Sequence, residues 1–125
     1  MVIKHSVEGY DAFNKTIKEV ETTAEVILVL FSGSKIGDGE SWCPDCVSAE
    51  PVVNNVLETL DDETTFLYVG VGDRSTWKDP NCVFRKDERL RLTSVPTLVR
   101  WGKPHRLQEE ECCNPDLIRL LLEED

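Results

Sequence analysis

The longest apolar run in the chain is Val26-Ile27-Leu28-Val29-Leu30-Phe31, rich in β-branched side chains and without a polar break. That pattern predicts a central strand covered on both faces, because a half-exposed strand alternates apolar with polar positions. The run is also far shorter than the ~20 residues of a transmembrane helix, so no membrane span is expected. On its N-terminal side, Tyr10, Phe13, Ile17 and Val20 recur three or four residues apart, the spacing of a helix with one buried face. Asp11 is placed as a cap or first-turn acid, and residues 2–6 precede this helix as a short strand.

After Phe31 the pattern breaks. Residues 32–41 carry Gly33, Gly37 and Gly39 among polar side chains, a loop long enough to either restrict access to a site or form a surface insertion. From Cys43, the positions Ala49, Val52, Val53, Val56, Leu57 and Leu60 restore helical spacing and predict a helix to about Asp61, with Pro51 kinking it near residues 47–51. Residues 65–71 read as the next strand and residues 73–78 as a loop or irregular helical turn. Pro80 introduces a short charged helix over residues 81–89. Residues 97–101 and 105–107 flank Gly102-Lys103-Pro104 as a hairpin. Asn114-Pro115-Asp116 then supplies a cap, a first-turn proline and an acid for a closing helix through Leu117, Ile118, Leu120, Leu121 and Leu122. The order is βαβαβαββα, an α/β chain without internal repeats, expected to form one domain over residues 1–125.

Charge narrows the partners. A formal net charge of −10 argues against nucleic acid and anionic membranes, which are bound through clustered Lys and Arg. Residues 1–6 lack the apolar segment of an export signal, and the cysteine count, five, is odd. The thiols are therefore expected to be reduced and the protein cytosolic.

The chemistry concentrates in Trp42-Cys43-Pro44-Asp45-Cys46. Cysteines at i and i+3 stand on neighbouring corners of one helical turn, close enough to close a disulfide. Cys43 falls at the helix N-terminus, where unpaired N–H groups and the helix dipole stabilise a thiolate, and is the predicted nucleophile. It is expected to see solvent, with Cys46 a turn deeper and held for the intramolecular step. A C-x-x-C pair also serves as half of a tetrahedral zinc site. Against that, Cys112 and Cys113 are adjacent, Cys82 stands alone, and neither His5 nor His105 lies at ligand spacing, so no metal is expected. Cys82, Cys112 and Cys113 read as incidental thiols, and Trp77 and Trp101 as packing residues. Trp42 is either core or a substrate platform, with exposure at the site's rim expected. Glu109, Glu110 and Glu111, and likewise residues 123–125, read as solvated acidic faces.

C-x-x-C at the start of the second helix, combined with Val95-Pro96-Thr97 ahead of the fourth strand, resembles the thioredoxin fold: a central mixed β-sheet flanked by helices, here with an enlarged loop before the C-x-x-C helix. The resemblance implies that Pro96 is cis and faces the dithiol, that Val95 offers its backbone to the substrate, and that Pro51 is the family's helix-kinking proline. Within that superfamily, Phe31-Ser32-Gly33-Ser34-Lys35, Ser41-Trp42-Cys43-Pro44-Asp45-Cys46, Ala49-Glu50-Pro51-Val52-Val53, Trp77-Lys78-Asp79-Pro80 and Val95-Pro96-Thr97-Leu98 are similar to the family of fourteen-kilodalton thioredoxin-related proteins over nearly the whole chain. This implies a monomeric cytosolic reductase of protein and small disulfides, with Cys43 as nucleophile, Cys46 as resolving thiol, and Trp42, Pro44, Asp45, Val95 and Pro96 binding substrate or tuning the thiols. It implies no bound cofactor, electrons from NADPH through thioredoxin reductase, and cystine and selected oxidised protein thiols as substrates. Peroxidase capacity and a role in redox and inflammatory signalling also follow from the resemblance.

Two departures from ordinary thioredoxin bear on mechanism. Leu30 stands where thioredoxins bury the acid that helps deprotonate the second cysteine. Asp45 is the nearest replacement by sequence, or else a solvated first-turn acid. The loop over residues 32–41 is longer, which would narrow access to Cys43 and exclude bulky protein substrates. A second class of function stays open beside the reductase: a binding module whose partner capture is governed by the dithiol state, separated from the enzyme by turnover.

Overall fold

Val26–Ser32 forms the centre of a five-stranded sheet, as its unbroken apolarity predicts. The computed structural model describes residues 2–37, 39–60 and 64–123. In chain order the elements are β1 (Ile3–Glu8), α1 (Tyr10–Glu21), β2 (Val26–Ser32), α2 (Pro44–Glu58), β3 (Thr64–Gly70), α3 (Arg74–Lys78), α4 (Val83–Lys86), β4 (Thr97–Arg100), β5 (Arg106–Gln108), a 3-10 turn (Glu109–Cys113) and α5 (Pro115–Leu122). The sheet order is β1-β3-β2-β4-β5. β1 and β2 pair with β3 in parallel, while β4 runs antiparallel to both β2 and β5, so the sheet is mixed.

Side chains alternate along β2, and each face meets a different layer. Val29 and Phe31 pack with Phe13 and Ile17 of α1, Trp77 of α3 and Phe84 of α4. This face is aromatic: Phe13 meets Phe31 edge-on at 5.4 Å between centroids and Trp101 at 5.7 Å. Leu28 and Leu30 point the other way, into an aliphatic layer with Ala49, Val53 and Leu57 of α2 and Ile118 and Leu121 of α5. Phe13 is fully buried, and truncating a side chain so placed typically costs about 3–5 kcal/mol.

Several expectations shift. β1 runs from Ile3 to Glu8 rather than over residues 2–6, because all six of its residues find partners on β3. α2 stops at Glu58, where the Thr59 hydroxyl donates to the Val56 carbonyl at 2.6 Å, and Asp61 lies outside the described residues. The loop or irregular turn expected over residues 73–78 contains α3, and the helix expected over residues 81–89 shrinks to α4. Asp73 caps α3 by accepting from the Thr76 N–H at 2.8 Å. The Asp87 carboxylate ends α4 by accepting from the Arg89 N–H at 2.8 Å and the Tyr10 hydroxyl at 2.6 Å. Such side-chain bonds offer the backbone an alternative to continued helix. The acidic residues 109–111 are exposed, but their segment is a 3-10 turn in which Gln108 N–H donates to Glu111 Oε1 at 2.9 Å and Cys112 turns fully inward. Residues 124 and 125 of the second acidic group lie outside the described residues.

Candidate active site

β2 delivers the chain to the C-terminal edge of the sheet, and the loop that follows is fastened there. Ser34 N–H donates to the Gly72 carbonyl at 3.0 Å, Gly72 N–H donates to the Ser34 hydroxyl at 2.8 Å, and the Trp42 indole N–H donates to the Gly72 carbonyl at 2.9 Å. Gly72 holds φ 109°, a region side-chain-bearing residues rarely adopt. An isolated antiparallel bridge between Lys35 and Ser41 closes the loop on itself. Trp42 is half-buried and covers Gly33 so closely that a Cβ there would come within 2.7 Å of the indole. The expectation of Trp42 as an exposed rim residue is corrected: its ring is packed and its N–H is taken.

Cys43 is the N-cap of α2, with Pro44 at the first helical position. Its sulfur accepts from the Cys46 N–H at 3.2 Å, the bond that a Ser or Asp cap would accept. Capping thus points the first sulfur at the turn that carries the second. The Cys43 thiol also donates to the Val95 carbonyl at 3.7 Å, across a Val95–Pro96 peptide bond that is cis. Pro96 is buried, and its carbonyl is held from behind by Glu109 N–H at 2.8 Å and the Cys112 thiol at 3.7 Å. Cys43 is only 6% exposed, not the solvent-facing thiol expected, because the loop carrying Val95 lies over the helix mouth.

Cys46 is 2% exposed, and its sulfur accepts from the Gly33 N–H at 3.4 Å. Burial, followed by the hydrogen bond with Cys43, pushes this thiol up to about 12, with the Ser32 hydroxyl and the Gly33 N–H opposing the rise. Cys46 is therefore a neutral thiol at physiological pH and must lose its proton to act as a nucleophile. Pro44 and Asp45 are exposed. Asp45 lies on the side of Cys113, whose thiol is raised first by burial and then by the Asp45 and Glu110 charges. All five cysteines are free thiols.

Behind Cys46 a cavity of about 270 Å³ opens between the loop, α2 and β3, with Ser32, Lys35, Glu50 and Tyr68 on its walls. Gly39, Glu40 and Ser41 of the enlarged loop border it too, so the loop walls the resolving thiol's side. Asp45 is not on its lining. Lys35 Nζ pairs with Glu50 Oε1 at 2.9 Å. The Ser32 and Tyr68 hydroxyls both donate to the Gly33 carbonyl, at 3.3 and 3.4 Å. None of Ser32, Glu50 and Tyr68 was singled out from the sequence as a site residue. A signal existed, since strand periodicity puts Ser32 on the same face of β2 as Leu30, where the acid is missing. Among the described residues no three His, Cys, Asp or Glu side chains gather to hold a metal ion, and no helix is long and apolar enough to cross a membrane.

Comparison with known proteins places this geometry. Residues 6–124 match the family model described as thioredoxin domain-containing protein 17-like, thioredoxin domain. The chain is 48% identical over 120 residues to thioredoxin domain-containing protein 17 of Danio rerio and 46% identical to that of Mus musculus, covering 96% of this chain and 94% of each relative. It is 46% identical over 111 residues to the thioredoxin-like protein Clot of Arabidopsis thaliana, covering 85% of this chain and 83% of that protein. A crystal structure of reduced thioredoxin pre-protein from Schistosoma mansoni superposes with a TM-score of 0.57 at 14% identity, over 98% of this chain and 95% of that one, which establishes the thioredoxin fold. A family of this kind carries a thiol redox role in general and needs no cofactor. With the family model matched over residues 6–124 and relatives this similar along nearly their whole length, the chain belongs to the thioredoxin domain-containing protein 17-like family of thioredoxin domains.

Proposed function

We propose that the chain is a cytosolic disulfide reductase that works as a single-domain monomer through Cys43 and Cys46. The observation that carries this reading is the position of the Cys43 sulfur, between the Cys46 N–H at 3.2 Å and the Val95 carbonyl at 3.7 Å. The Cys43 thiolate attacks one sulfur of the substrate disulfide, forming a mixed disulfide and releasing the first substrate thiolate, which takes up a proton. Cys46, deprotonated, attacks the Cys43 sulfur and releases the second substrate thiolate, leaving a Cys43–Cys46 disulfide. Two electrons pass to the substrate, and NADPH restores them through thioredoxin reductase. Proximity drives the second step, since two thiols on one helical turn reach very high effective concentrations.

A nucleophile 6% exposed favours slim disulfides over those buried in a folded partner. Cystine and selected oxidised protein thiols are the substrates proposed, and peroxide reduction and redox signalling would draw on the same Cys43 thiolate. Trp42, Pro44, Asp45, Val95 and Pro96 are the residues proposed to bind substrate or tune the thiols, with the Val95 carbonyl 3.7 Å from the Cys43 sulfur. NADPH consumption with thioredoxin reductase, this protein and cystine is the test. Turnover that requires both motif cysteines is expected. No consumption above the reductase alone, or consumption that survives Cys43→Ser, overturns the reading.

A further inference from the structure

Resolution by Cys46 requires a proton acceptor, and the strand position at which ordinary thioredoxins carry one is Leu30, 1% exposed and packed in the aliphatic layer. Resting on the reductase reading above, we propose that Glu50, reached through the cavity and the Ser32 and Tyr68 hydroxyls that line it, takes the proton of Cys46 during resolution.

Four observations support it. The Ser32 hydroxyl, 3% exposed as a residue, interacts with both the Cys46 thiol and the Tyr68 hydroxyl. Both hydroxyls converge on the carbonyl of Gly33, the residue whose N–H contacts the Cys46 sulfur at 3.4 Å. The space beyond them, about 270 Å³ with polar walls, has room for water to bridge the hydroxyls to the carboxylate. Finally, Glu50 lies one turn along α2 from Cys46 on the same cavity wall, so the helix that carries the resolving thiol also carries the acceptor.

The proton balance is complete. As the Cys46 sulfur bonds to Cys43 and the substrate sulfur departs with the electron pair of the broken S–S bond, the Cys46 proton passes to Glu50. It leaves through the cavity mouth to solvent or to the departing thiolate. The charged and titratable groups around Glu50 are Lys35 and Glu40 on the loop, Tyr68 on β3, Cys46 on α2, and Lys4 and His5 of β1, which share a neighbouring cavity with Glu50, with Glu8 of β1 acting on Lys35 and Tyr68 from farther off. Lys35 pairs with the carboxylate at 2.9 Å in a half-exposed ion pair and transfers no proton.

The aromatic disulfide dithiobis(nitrobenzoate), mixed with reduced protein in excess, separates the steps. Attack by Cys43 releases one coloured thiolate and attack by Cys46 releases a second. Glu50→Gln should leave the first release unchanged and slow the second by about tenfold or more near neutral pH, the low end of what a general base supplies. That deficit should narrow with rising pH, by about tenfold per unit where hydroxide takes over the proton transfer. Glu50→Asp should recover part of the rate. Lys35→Met breaks the same ion pair but keeps the acceptor, and its second release should stay within about threefold of the native chain. Should Glu50→Gln not fold by circular dichroism, Tyr68→Phe carries the test, with a second release slowed several-fold and the first unchanged. An unchanged second release in the Glu50 or the Tyr68 variant, or equal slowing in Lys35→Met, overturns the proposal while leaving the reductase reading intact. Absence of two-phase release in the native protein overturns both.

Discussion

Cys43 and Cys46 share one helical turn, yet they meet different parts of the molecule. The Cys43 sulfur caps its helix and faces the Val95 carbonyl on the loop ahead of β4. The Cys46 sulfur faces Gly33 at the end of β2 and backs onto a polar cavity. One sulfur faces the cis-proline loop, and the other is buried beside a cavity with polar walls. The difference shows how the elements on either side of a local motif give its two thiols different surroundings.

The largest expected effect comes from removing the thiol that faces the cis-proline loop. Cys43→Ser should abolish cystine-dependent NADPH consumption, since a hydroxyl is a far weaker nucleophile near neutral pH. Residual turnover would erase the distinction between the two cysteines. Cys46→Ser should instead stop the reaction after one attack, with cystine leaving a half-cystine adduct on Cys43 visible by mass spectrometry. An adduct found on any other cysteine would reverse the assignment.

The thiol beside the cavity also leaves a mark on stability. Burial raises Cys46 to about 12, and burial raises Cys112 to about 12 as well. A thiol whose folded value lies above its unfolded one contributes stability that is full below the unfolded value of ~9 and is lost as pH rises toward the folded value. The reduced protein should therefore lose stability between about pH 9 and 12, by up to about 1.4 kcal/mol per pH unit for each such thiol. Urea denaturation across that range should show the slope. It should flatten by one thiol's share in the oxidised protein, where Cys46 has no proton to lose, and by another in Cys112→Ala. A slope that oxidation does not change would remove Cys46 from the buried class. The smallest effect is expected at Asp45, which is exposed and does not line the Cys46 cavity. Asp45→Asn should change the second release of a two-step disulfide assay by no more than about twofold, as expected of a screened surface charge. A large change there would return to Asp45 the acceptor role argued for Glu50.

Much of the fold could be read in advance because it depends on near neighbours. The apolar run through β2, the three-four spacing of α1 and α2, and the Asn114-Pro115 start of α5 are local patterns, and each produced its element within a few residues of the expected bounds. Residues 74–91 were harder to read because the end of α4 depends on Tyr10, 77 residues from Asp87 in sequence, whose hydroxyl helps hold that carboxylate. The 3-10 turn at residues 109–113 was hidden for a similar reason. Its acids are exposed as their composition suggests, but Cys112 turns inward to the Pro96 carbonyl and fixes the segment.

The sequence by itself determined the position and spacing of the dithiol, its place at a helix start and the strand and helix periods around it, because these are set by hydrogen bonds and side-chain alternation within a turn or two. Only the tertiary structure decided that Cys43 is covered, since its cover comes from a loop 52 residues away. It alone brought Ser32, Glu50 and Tyr68 together behind Cys46. Burial and desolvation are properties of what packs against a group, and the pairing of β2 with β3 in parallel, Leu30 beside Tyr68, is what places a tyrosine hydroxyl near a thiol on a helix.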